Sequence, residues 1–196
     1  MLELAALLFG YLCGSIPFGL MLSKAAGLGD IRNIGSGNIG ATNVLRTGNR
    51  KIAALTLLCD CLKGAIPVLL LRYFGDEQTA IIAGLAALAG HIFPIWLKFK
   101  GGKGVATSIG VLSALHWPLG LIFIVVWLAV ALLFRISSLS ALIASALSPV
   151  FAFMFGGREL AIPAILIGAT IWIMHRPNII RLLKRQEPTI ELGKKT

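Results

Sequence analysis

Residues 105–134, VATSIGVLSALHWPLGLIFIVVWLAVALLF, decide how many times this chain crosses a membrane. The stretch is too long for one comfortable span, because a spanning helix needs about 20 mostly apolar residues. Pro118 interrupts it, and proline is tolerated in the first turn of a helix but disrupts its interior. We therefore predict two helices, a short one over Val105–Leu115 and a full span over Pro118–Phe134.

The rest of the chain contains further apolar segments of spanning length. The sequence is 57% hydrophobic with a mean hydropathy of +0.89, which is too apolar for a soluble domain. The 11 residues of Val105–Leu115 reach about 16 Å, roughly half of the hydrocarbon thickness, so this helix needs a thinned or protein-lined region. The other predicted spans are Leu4–Leu22, Ile52–Leu71, Thr79–Leu97, Leu139–Phe155 and Leu160–Met174.

The fold class follows from these segments. The sequence predicts an all-α integral membrane protein with seven transmembrane helices, one of them short, forming a single domain over residues 1–196. The first apolar run has no basic residues before it and no clear cleavage site, which predicts a retained span and not a signal peptide. We find no internal repeat of the kind that marks many transporters.

Basic residues are distributed unevenly between the predicted loops. The chain has 18 Lys+Arg against 8 Asp+Glu, and seven segments place 15 of those 18 on one side. The positive-inside rule then puts the N-terminus outside and the C-terminus in the cytoplasm. A six-span arrangement would move the basic tail outside, so we disfavour it. The residues on the basic side are Lys24, Arg32, Arg46, Arg50, Lys51, Lys98, Lys100, Lys103, Arg135, Arg176, Arg181, Lys184, Arg185, Lys194 and Lys195.

Two function classes are disfavoured by the composition. Nucleic-acid binding is not expected, because no basic, aromatic-interleaved soluble module is present in the sequence. A metal centre or other cofactor is not expected either. Cys13, Cys59 and Cys61 lie in apolar runs without metal-ligand spacing and are predicted to be reduced packing residues.

A first glycine-rich loop, residues 35–43 (GSGNIGATN), interrupts the apolar chain. Glycines permit positive φ angles and close backbone approach, so consecutive N–H groups can form a nest for an anion. Ser36, Thr42 and Asn43 add neutral donors, and Arg46 adds a forked cation suited to phosphate. The alternative is a flexible turn with a basic flank, but the density of small polar residues favours a functional loop.

A second glycine-rich loop, residues 99–107 (FKGGKGVAT), leads into the short helix. A helix N-terminus carries partial positive charge and free N–H groups. Gly101, Gly102, Lys103 and Gly104 are therefore predicted to cradle a phosphate at this point. The spacing is not that of a P-loop, and no strand precedes it. The alternative, lysines that only set topology, explains Lys98 and Lys100 but not the glycines around Lys103.

Two further polar clusters are candidates. The first is His175, Arg176 and Asn178 at the end of the last span, with Arg181 one turn later, where an anion site and an interfacial cap are both open. The second lies inside the spans. Asp60 and Lys63 are three residues apart on one helix face and are predicted to form a structural ion pair, with His91 and Pro94 as packing or supporting residues.

These motifs resemble those of a known family, the bacterial acyl-phosphate:glycerol-3-phosphate acyltransferases, or PlsY family. Residues 35–46 (GSGNIGATNVLR) resemble its first motif. Residues 90–94 (GHIFP) and 99–107 are similar to its second, and residues 175–181 (HRPNIIR) to its third. The resemblance covers nearly the whole chain. It implies a seven-span enzyme of the bacterial cytoplasmic membrane, with its active site on the cytoplasmic face, that acts in phospholipid synthesis.

The reaction implied by the resemblance moves a fatty acyl group from acyl phosphate to the sn-1 hydroxyl of glycerol 3-phosphate, giving lysophosphatidic acid and phosphate. Both reactants are anions, and positioning with oxyanion stabilisation can suffice for a mixed anhydride. We expect Ser36, Lys103 and His175 to be catalytic, and either His175 or a reactant phosphate oxygen to take the proton. The expected substrate-binding residues are Asn38, Thr42, Asn43, Arg46, Gly101, Gly102, Gly104, Arg176, Asn178 and Arg181.

The expected partners are glycerol 3-phosphate, acyl phosphate and membrane lipids. Thioester-using acyltransferases carry a His-x-x-x-x-Asp motif, and none of the three histidines here has an aspartate four residues later. Acyl-coenzyme A and acyl carrier protein are therefore not expected as donors. The residues alone leave two alternatives open: an anion or lipid transporter, and an assembly subunit, which would leave the glycine loops unexplained.

Overall fold

The computed structural model describes residues 1–190, and no strand occurs in that range. Two of the basic-side residues, Lys194 and Lys195, lie outside the described residues. The chain divides into two compact units, Met1–Trp117 and Pro118–Thr196, each of which is described by itself. The helices of the first unit are α1 Leu2–Ser15, α2 Phe18–Ala25, α3 Ala41–Leu45, α4 Arg50–Phe74, α5 Glu77–Ile92 and α6 Val105–Leu115, with 3-10 turns at Ile31–Asn33 and Ile95–Leu97.

The first predicted span, Leu4–Leu22, is not one continuous helix. It is divided into α1 and α2. Ile16 has extended backbone angles (φ −67°, ψ 117°) between α1 and α2. The cause is Pro17, which lacks an N–H and disfavours helical angles in the residue before it. The two helices together, Leu2–Ala25, still have the length and apolarity of one membrane crossing.

Helix α5 also ends earlier than predicted. It stops at Ile92, not Leu97, because Pro94 follows two residues later. Its start is fixed by a capping box in which Asp76 accepts from the N–H of Thr79. Helix α6, in contrast, has the predicted bounds Val105–Leu115.

Small residues let the helices of the first unit approach closely. A Cβ added to Gly10 would overlap the carbonyl oxygen of Ala83, and one added to Gly14 would overlap that of Ala87. Helix α1 therefore lies backbone to backbone against α5, the packing that small residues permit between membrane helices. This contact fixes the end of α5, from which the second glycine-rich loop departs.

The second unit contains α7 Trp117–Phe134, α8 Ser137–Met174 and α9 Arg176–Leu183. Helix α8 has 38 residues, but Gly156 and Gly157 have non-helical angles and divide it into two arms. At about 1.5 Å per residue a continuous helix of that length would be about twice as long as the hydrocarbon layer is thick. The indole N–H of Trp172 donates to the carbonyl oxygen of Leu142 at 3.3 Å, so the arms pack on each other.

The all-helical class is confirmed within residues 1–190. Five helical segments there are long and apolar enough to cross a membrane. Dividing α8 at its break and adding the short α6 gives seven apolar segments, at the seven places predicted. The number of crossings and their orientation remain predictions.

Candidate functional site

The first glycine-rich loop is held together by the amide of Asn43. Its side-chain oxygen accepts from the backbone N–H of Ser36 at 3.0 Å and from Nη1 of Arg46 at 3.5 Å. Its side-chain nitrogen donates to the carbonyl oxygens of Ile31 and Asn38 at 2.7 and 2.8 Å. Asn43 is only 2% exposed. This residue therefore orders the loop from within, while Ser36 and Arg46 remain at the surface.

Two glycines of this loop have backbone angles that favour glycine. Gly35 and Gly37 have φ of +55° and +69°. A Cβ on Gly35 would lie 2.7 Å from Cδ of Arg46, so the arginine side chain lies directly over the loop backbone. The loop thus presents a serine hydroxyl and a guanidinium next to each other.

The second glycine-rich loop rests on the end of α5. The N–H of Gly101 donates to the carbonyl oxygen of Ile92 at 2.9 Å, and that of Gly102 to the carbonyl oxygen of His91 at 3.0 Å. Gly104 has φ +84° and immediately precedes α6. The half-buried Lys103 lies between Gly102 and Gly104, in the turn that starts α6.

Four backbone N–H groups of the two loops, three of them from glycines, are not available to the predicted anion nest. Those of Gly101 and Gly102 donate to the end of α5, that of Ser36 to the side chain of Asn43, and that of Gly37 to the carbonyl oxygen of Ile34 at 3.0 Å. These four N–H groups already donate to protein acceptors, and the resulting hydrogen bonds order the two loops. Side-chain cations and hydroxyls are therefore the more important donors to an anion here.

A cavity of about 580 Å³ joins the two glycine-rich loops. Gly37 and Ile39 line it from the first loop, and Gly101 lines it from the second. Three cationic side chains also line it: Arg32, Lys98 and Lys100. The cavity is therefore a basic recess between the two motifs that the sequence analysis singled out.

Arg32 was missed as a site residue, and Lys98 and Lys100 were assigned to topology. Arg32 pairs with Asp30, whose carboxylate accepts from its Nε at 2.9 Å. The hydrogen bonds from Arg32 hold the pKa of Asp30 well below its usual range, so the acid stays ionised. A signal was present: Arg32 lies three residues before the first loop. The fold of that loop onto the 96–101 segment was not legible from the sequence.

The third motif lies in the second unit, between α8 and α9. His175 is 3% exposed, and its Nδ1 lies 2.8 Å from the carbonyl oxygen of Ile171. Because a carbonyl oxygen can only accept, Nδ1 must carry the proton, which leaves Nε2 as the basic nitrogen of the neutral ring. Pro177 occupies the first turn of α9, a position that proline tolerates.

The side chain of Glu187 holds the third motif together, although Glu187 was not among the predicted site residues. Its carboxylate accepts from Nδ2 of Asn178 at 2.5 Å, from Nε of Arg181 at 2.7 Å and from the hydroxyl of Ser138 at 2.7 Å. Partial burial raises the pKa of Glu187, but these three hydrogen bonds together outweigh it, and the pKa lies below its ordinary value. The available signal was that Glu187 is one of two acids, with Glu191, in a mainly basic tail.

The predicted ion pair inside the spans is confirmed. Nζ of Lys63 lies 2.7 Å from Oδ1 of Asp60, and both side chains are 3% exposed. His91 is buried beside them, with Nδ1 3.9 Å from the same oxygen.

The predicted site residues thus form two groups. In the first unit, Gly101 is the predicted site residue that lines the basic cavity, and Gly37, Ile39, Lys98 and Lys100 of the two loop segments line it too. Ser36, Arg46 and Lys103 lie in the same loops but do not line it. In the second unit, Asn178 and Arg181 meet on Glu187. Arg176 is exposed, whereas Asn178 is buried.

The chain is similar to proteins of one enzyme family. A family model described as glycerol-3-phosphate acyltransferase matches residues 4–185. The glycerol-3-phosphate acyltransferase of Dinoroseobacter shibae is 57% identical over 188 residues, covering 96% of this chain and 93% of the relative. That of Paramagnetospirillum magneticum is 57% identical over 197 residues, covering 100% and 98%.

Solved structures agree with these relatives. The crystal structure of PlsY, an integral membrane glycerol 3-phosphate acyltransferase, in its glycerol 3-phosphate form matches with a TM-score of 0.90 and 42% identity, over 95% of this chain and 94% of that one. The lysophosphatidic acid form of PlsY matches with a TM-score of 0.88 and 40% identity over the same shares.

Proposed function

The chain belongs to the glycerol-3-phosphate acyltransferase family, and on that premise we propose that its acyl donor is an acyl phosphate. The protein is a multi-pass bacterial membrane enzyme that acylates glycerol 3-phosphate to lysophosphatidic acid. This sets aside the transporter and assembly-subunit alternatives. We further propose which molecule donates the acyl group, which side of the membrane the active site faces and which residues act in it.

The proposed step is a direct acyl transfer. The sn-1 hydroxyl oxygen of glycerol 3-phosphate attacks the acyl carbonyl carbon of the mixed anhydride. The bond from that carbon to the phosphate oxygen breaks, and inorganic phosphate leaves with the electron pair. Because phosphate is a good leaving group, positioning and charge stabilisation can supply most of the catalysis.

The basic cavity between the two glycine-rich loops is the observation that carries the proposal. Two phosphate-bearing reactants need two sets of anion contacts, and the cavity has room for a small phosphate ester at about 580 Å³. Arg32, Lys98 and Lys100 line it, and Arg46 lies over Gly35 in the first loop. Arginine binds phosphate through a planar fork, and lysine acts as a mobile point charge.

We assign the following roles. Ser36, Arg46 and Lys103 contact the phosphates and the developing oxyanion. Nε2 of His175, or a phosphate oxygen of a bound reactant, takes the hydroxyl proton, because Nδ1 is already held by a carbonyl. Supporting substrate contacts come from Asn38, Thr42, Gly104, Arg176 and Arg181. The other predicted residues, Asn43, Gly101, Gly102 and Asn178, act by ordering the segments that carry these contacts.

For Asn38, a structural observation supports the proposed role in substrate binding. The side-chain oxygen of Asn38 is buried and has no hydrogen-bond partner within residues 1–190. A buried acceptor without a donor is costly. We therefore assign it to a glycerol hydroxyl.

The test uses the purified protein in detergent with glycerol 3-phosphate and one of two donors, acyl phosphate or acyl-coenzyme A. We expect lysophosphatidic acid and inorganic phosphate in equal amounts from acyl phosphate, and no product from acyl-coenzyme A. The Arg46→Met variant, purified in the same way, controls for contaminating acyltransferases. Efficient use of acyl-coenzyme A by the wild type, and not by this variant, would refute the proposed donor.

A further inference from the structure

The break between α1 and α2 is supported by a buried lysine. Nζ of Lys63 donates to the carbonyl oxygen of Ile16 at 2.7 Å, at the point where Pro17 interrupts the helix. Within residues 1–190, the N–H of Phe18, two residues on, also donates to that oxygen, at 3.1 Å. Polar backbone groups in a membrane must be satisfied within the protein, so this contact stabilises the start of α2.

Lys63 is itself held in place by Asp60. The two groups are 2.7 Å apart and both are buried. An ion pair taken out of water is costly, and in a membrane such residues face the protein interior and are usually functional. Desolvation of the two charges offsets much of the stability that a pair within one helix could give to α4. The contacts of Asp60 and Lys63 with other elements are therefore the informative ones.

The same carboxylate oxygen of Asp60 also faces His91, which supports the second glycine-rich loop. Nδ1 of His91 lies 3.9 Å from Oδ1 of Asp60. A Cβ added to Gly102 would overlap Nε2 of the same ring, and the N–H of Gly102 donates to the His91 carbonyl oxygen. The backbone of this loop therefore lies against the imidazole, and the position of the imidazole fixes that of the loop.

The first glycine-rich loop is carried by α2. A Cβ added to Gly19 would overlap the carbonyl oxygen of Ile39, so helix and loop are in direct backbone contact. Leu20 packs in one buried cluster with Ile31, Ile39 and Val44. The position of α2, which begins just after the Ile16 carbonyl, therefore determines that of residues 31–44.

We propose that Lys63, held by Asp60, is a positioning residue that sets the two glycine-rich loops in register with each other. One end of the network holds α2, which carries the first loop, and the other end faces the imidazole under the second loop. The inference rests on the proposed function, in which both loops act on one pair of reactants. A displacement of about 1 Å between reacting groups can cost about 100-fold in rate.

The test compares three variants of the network: Lys63→Met, Lys63→Arg and the double variant Asp60→Asn/Lys63→Met. Lys63→Met removes the donor to Ile16, and we expect kcat to fall about 100-fold. Each loop keeps its own phosphate contacts, so KM for glycerol 3-phosphate changes less than about threefold. Lys63→Arg keeps a cationic donor and is expected to recover most of the activity.

The double variant separates positioning from stability. It leaves no unpaired buried charge, so the thermal unfolding midpoint should return towards the wild-type value. The Ile16 carbonyl still lacks its lysine donor, so kcat should stay low. If kcat recovers together with stability, the ion pair serves folding alone and the proposal is wrong.

The matched control is a second ion pair, at the C-terminal end of α4. Arg72 pairs with Glu77 and donates to the last carbonyl oxygens of α6, those of Ala114 and Leu115. We expect Arg72→Met/Glu77→Gln to lower the unfolding midpoint while leaving kcat within about twofold of wild type, because this pair contacts neither glycine-rich loop.

A second readout does not depend on the reaction. Spin labels on cysteines at Arg32 and Lys100, in a background without the native cysteines, report the separation of the loops across the cavity. We expect a broader or shifted distance distribution in Lys63→Met and in the double variant, and no change in the Arg72 control. Unchanged distances in all variants refute the inference even if the proposed donor is correct. A failure of the donor test leaves this result standing.

Discussion

The backbone N–H of Ser36 donates to the side-chain oxygen of Asn43 at 3.0 Å, across seven residues of the first glycine-rich loop. The amide nitrogen of Asn43 donates in the opposite direction to the carbonyl oxygens of Ile31 and Asn38. One side chain thus satisfies both donors and acceptors of a loop that lacks regular structure. An isosteric acid could replace only half of these bonds.

Asn43→Asp should therefore inactivate the enzyme although it replaces one heavy atom. The carboxylate can still accept from Ser36, but it repels the two carbonyl oxygens that lost their donor. Each buried group left unsatisfied costs about 1–3 kcal/mol, and we expect kcat/KM to fall by at least about 30-fold, equivalent to about 2 kcal/mol. The measurement is steady-state kinetics on protein that elutes as a single species.

The matched control is Asn49→Asp. The side-chain oxygen of Asn49 caps α4 by accepting from the N–H of Ile52 at 3.1 Å. Aspartate caps a helix as well as asparagine does, so activity and the unfolding midpoint should both remain close to wild type. Equal losses in the two variants would show that added negative charge, and not the lost amide donors, is responsible.

The two lysines of the second loop should behave differently. Lys103 is half-buried in the turn before α6, whereas Lys100 is exposed at the cavity. A charged hydrogen bond contributes about 1.5–3 kcal/mol, so Lys103→Ala should lower kcat about 100-fold. An exposed charge is screened by salt, so Lys100→Ala should raise KM by only about threefold, and this effect should disappear at high ionic strength. Mild losses of equal size in both would mean that the lysines serve topology.

Glu187→Gln should release the third motif in a pH-dependent way. The pKa of Glu187 in the folded protein lies below its ordinary value, so its stabilising contribution is fully present above about pH 4.3 and is lost as the pH falls through the folded pKa. We expect the variant to unfold about 5 °C below wild type at pH 7. Activity should also fall, because the amide has one acceptor oxygen, which Asn178 can keep, while Arg181 loses its charged partner. The difference should shrink below about pH 4.3.

Glu159→Gln is the control for this prediction, because it removes the same charge from an exposed position in the second unit. It should unfold like wild type at every pH. A gap between Glu187→Gln and wild type that stayed constant into the acid range would mean that the hydrogen-bond geometry, and not the ionised carboxylate, is what stabilises the motif.

The lengths of the apolar runs and the positions of prolines predicted most of the helices. Apolar length set the spans, and Pro118 placed the boundary between α6 and α7. The break at Pro17 was missed because apolarity continues through it, so composition gives no signal where the backbone does. The division of α8 was predicted from span length, although Gly156 and Gly157 mark the break itself.

The site was predicted as far as it is local in sequence. Loop residues such as Ser36 and Lys103 stand out by the glycines around them. Glu187 and Arg32 do not, because their importance comes from contacts made after folding: a carboxylate under Asn178, and a guanidinium at a cavity that two distant loops share. Residues that act through tertiary contacts leave only weak signals in the neighbouring sequence.

The sidedness of the membrane protein is tested by cysteine labelling in intact cells. Both glycine-rich loops and the basic tail are predicted to be cytoplasmic by the positive-inside rule. Exposed positions on that side are Lys51, Lys100 and Gln186, and a position on the other side is Gln78. Gly101 is unsuitable for a label, because a Cβ there would overlap the carbonyl oxygen of His91.

Single cysteines at these four positions, in a background without the native cysteines, are treated with a membrane-impermeant thiol reagent. Only the cysteine at Gln78 should react in intact cells, and all four should react after the membrane is permeabilised, which controls for accessibility. Gln186 follows the last apolar arm. With the N-terminus outside, an odd number of crossings leaves Gln186 in the cytoplasm and unlabelled. Labelling of Gln186 and not of Lys51 from outside would require an even number of crossings and would place the third motif on the opposite side from the glycine-rich loops, which a single active site does not permit.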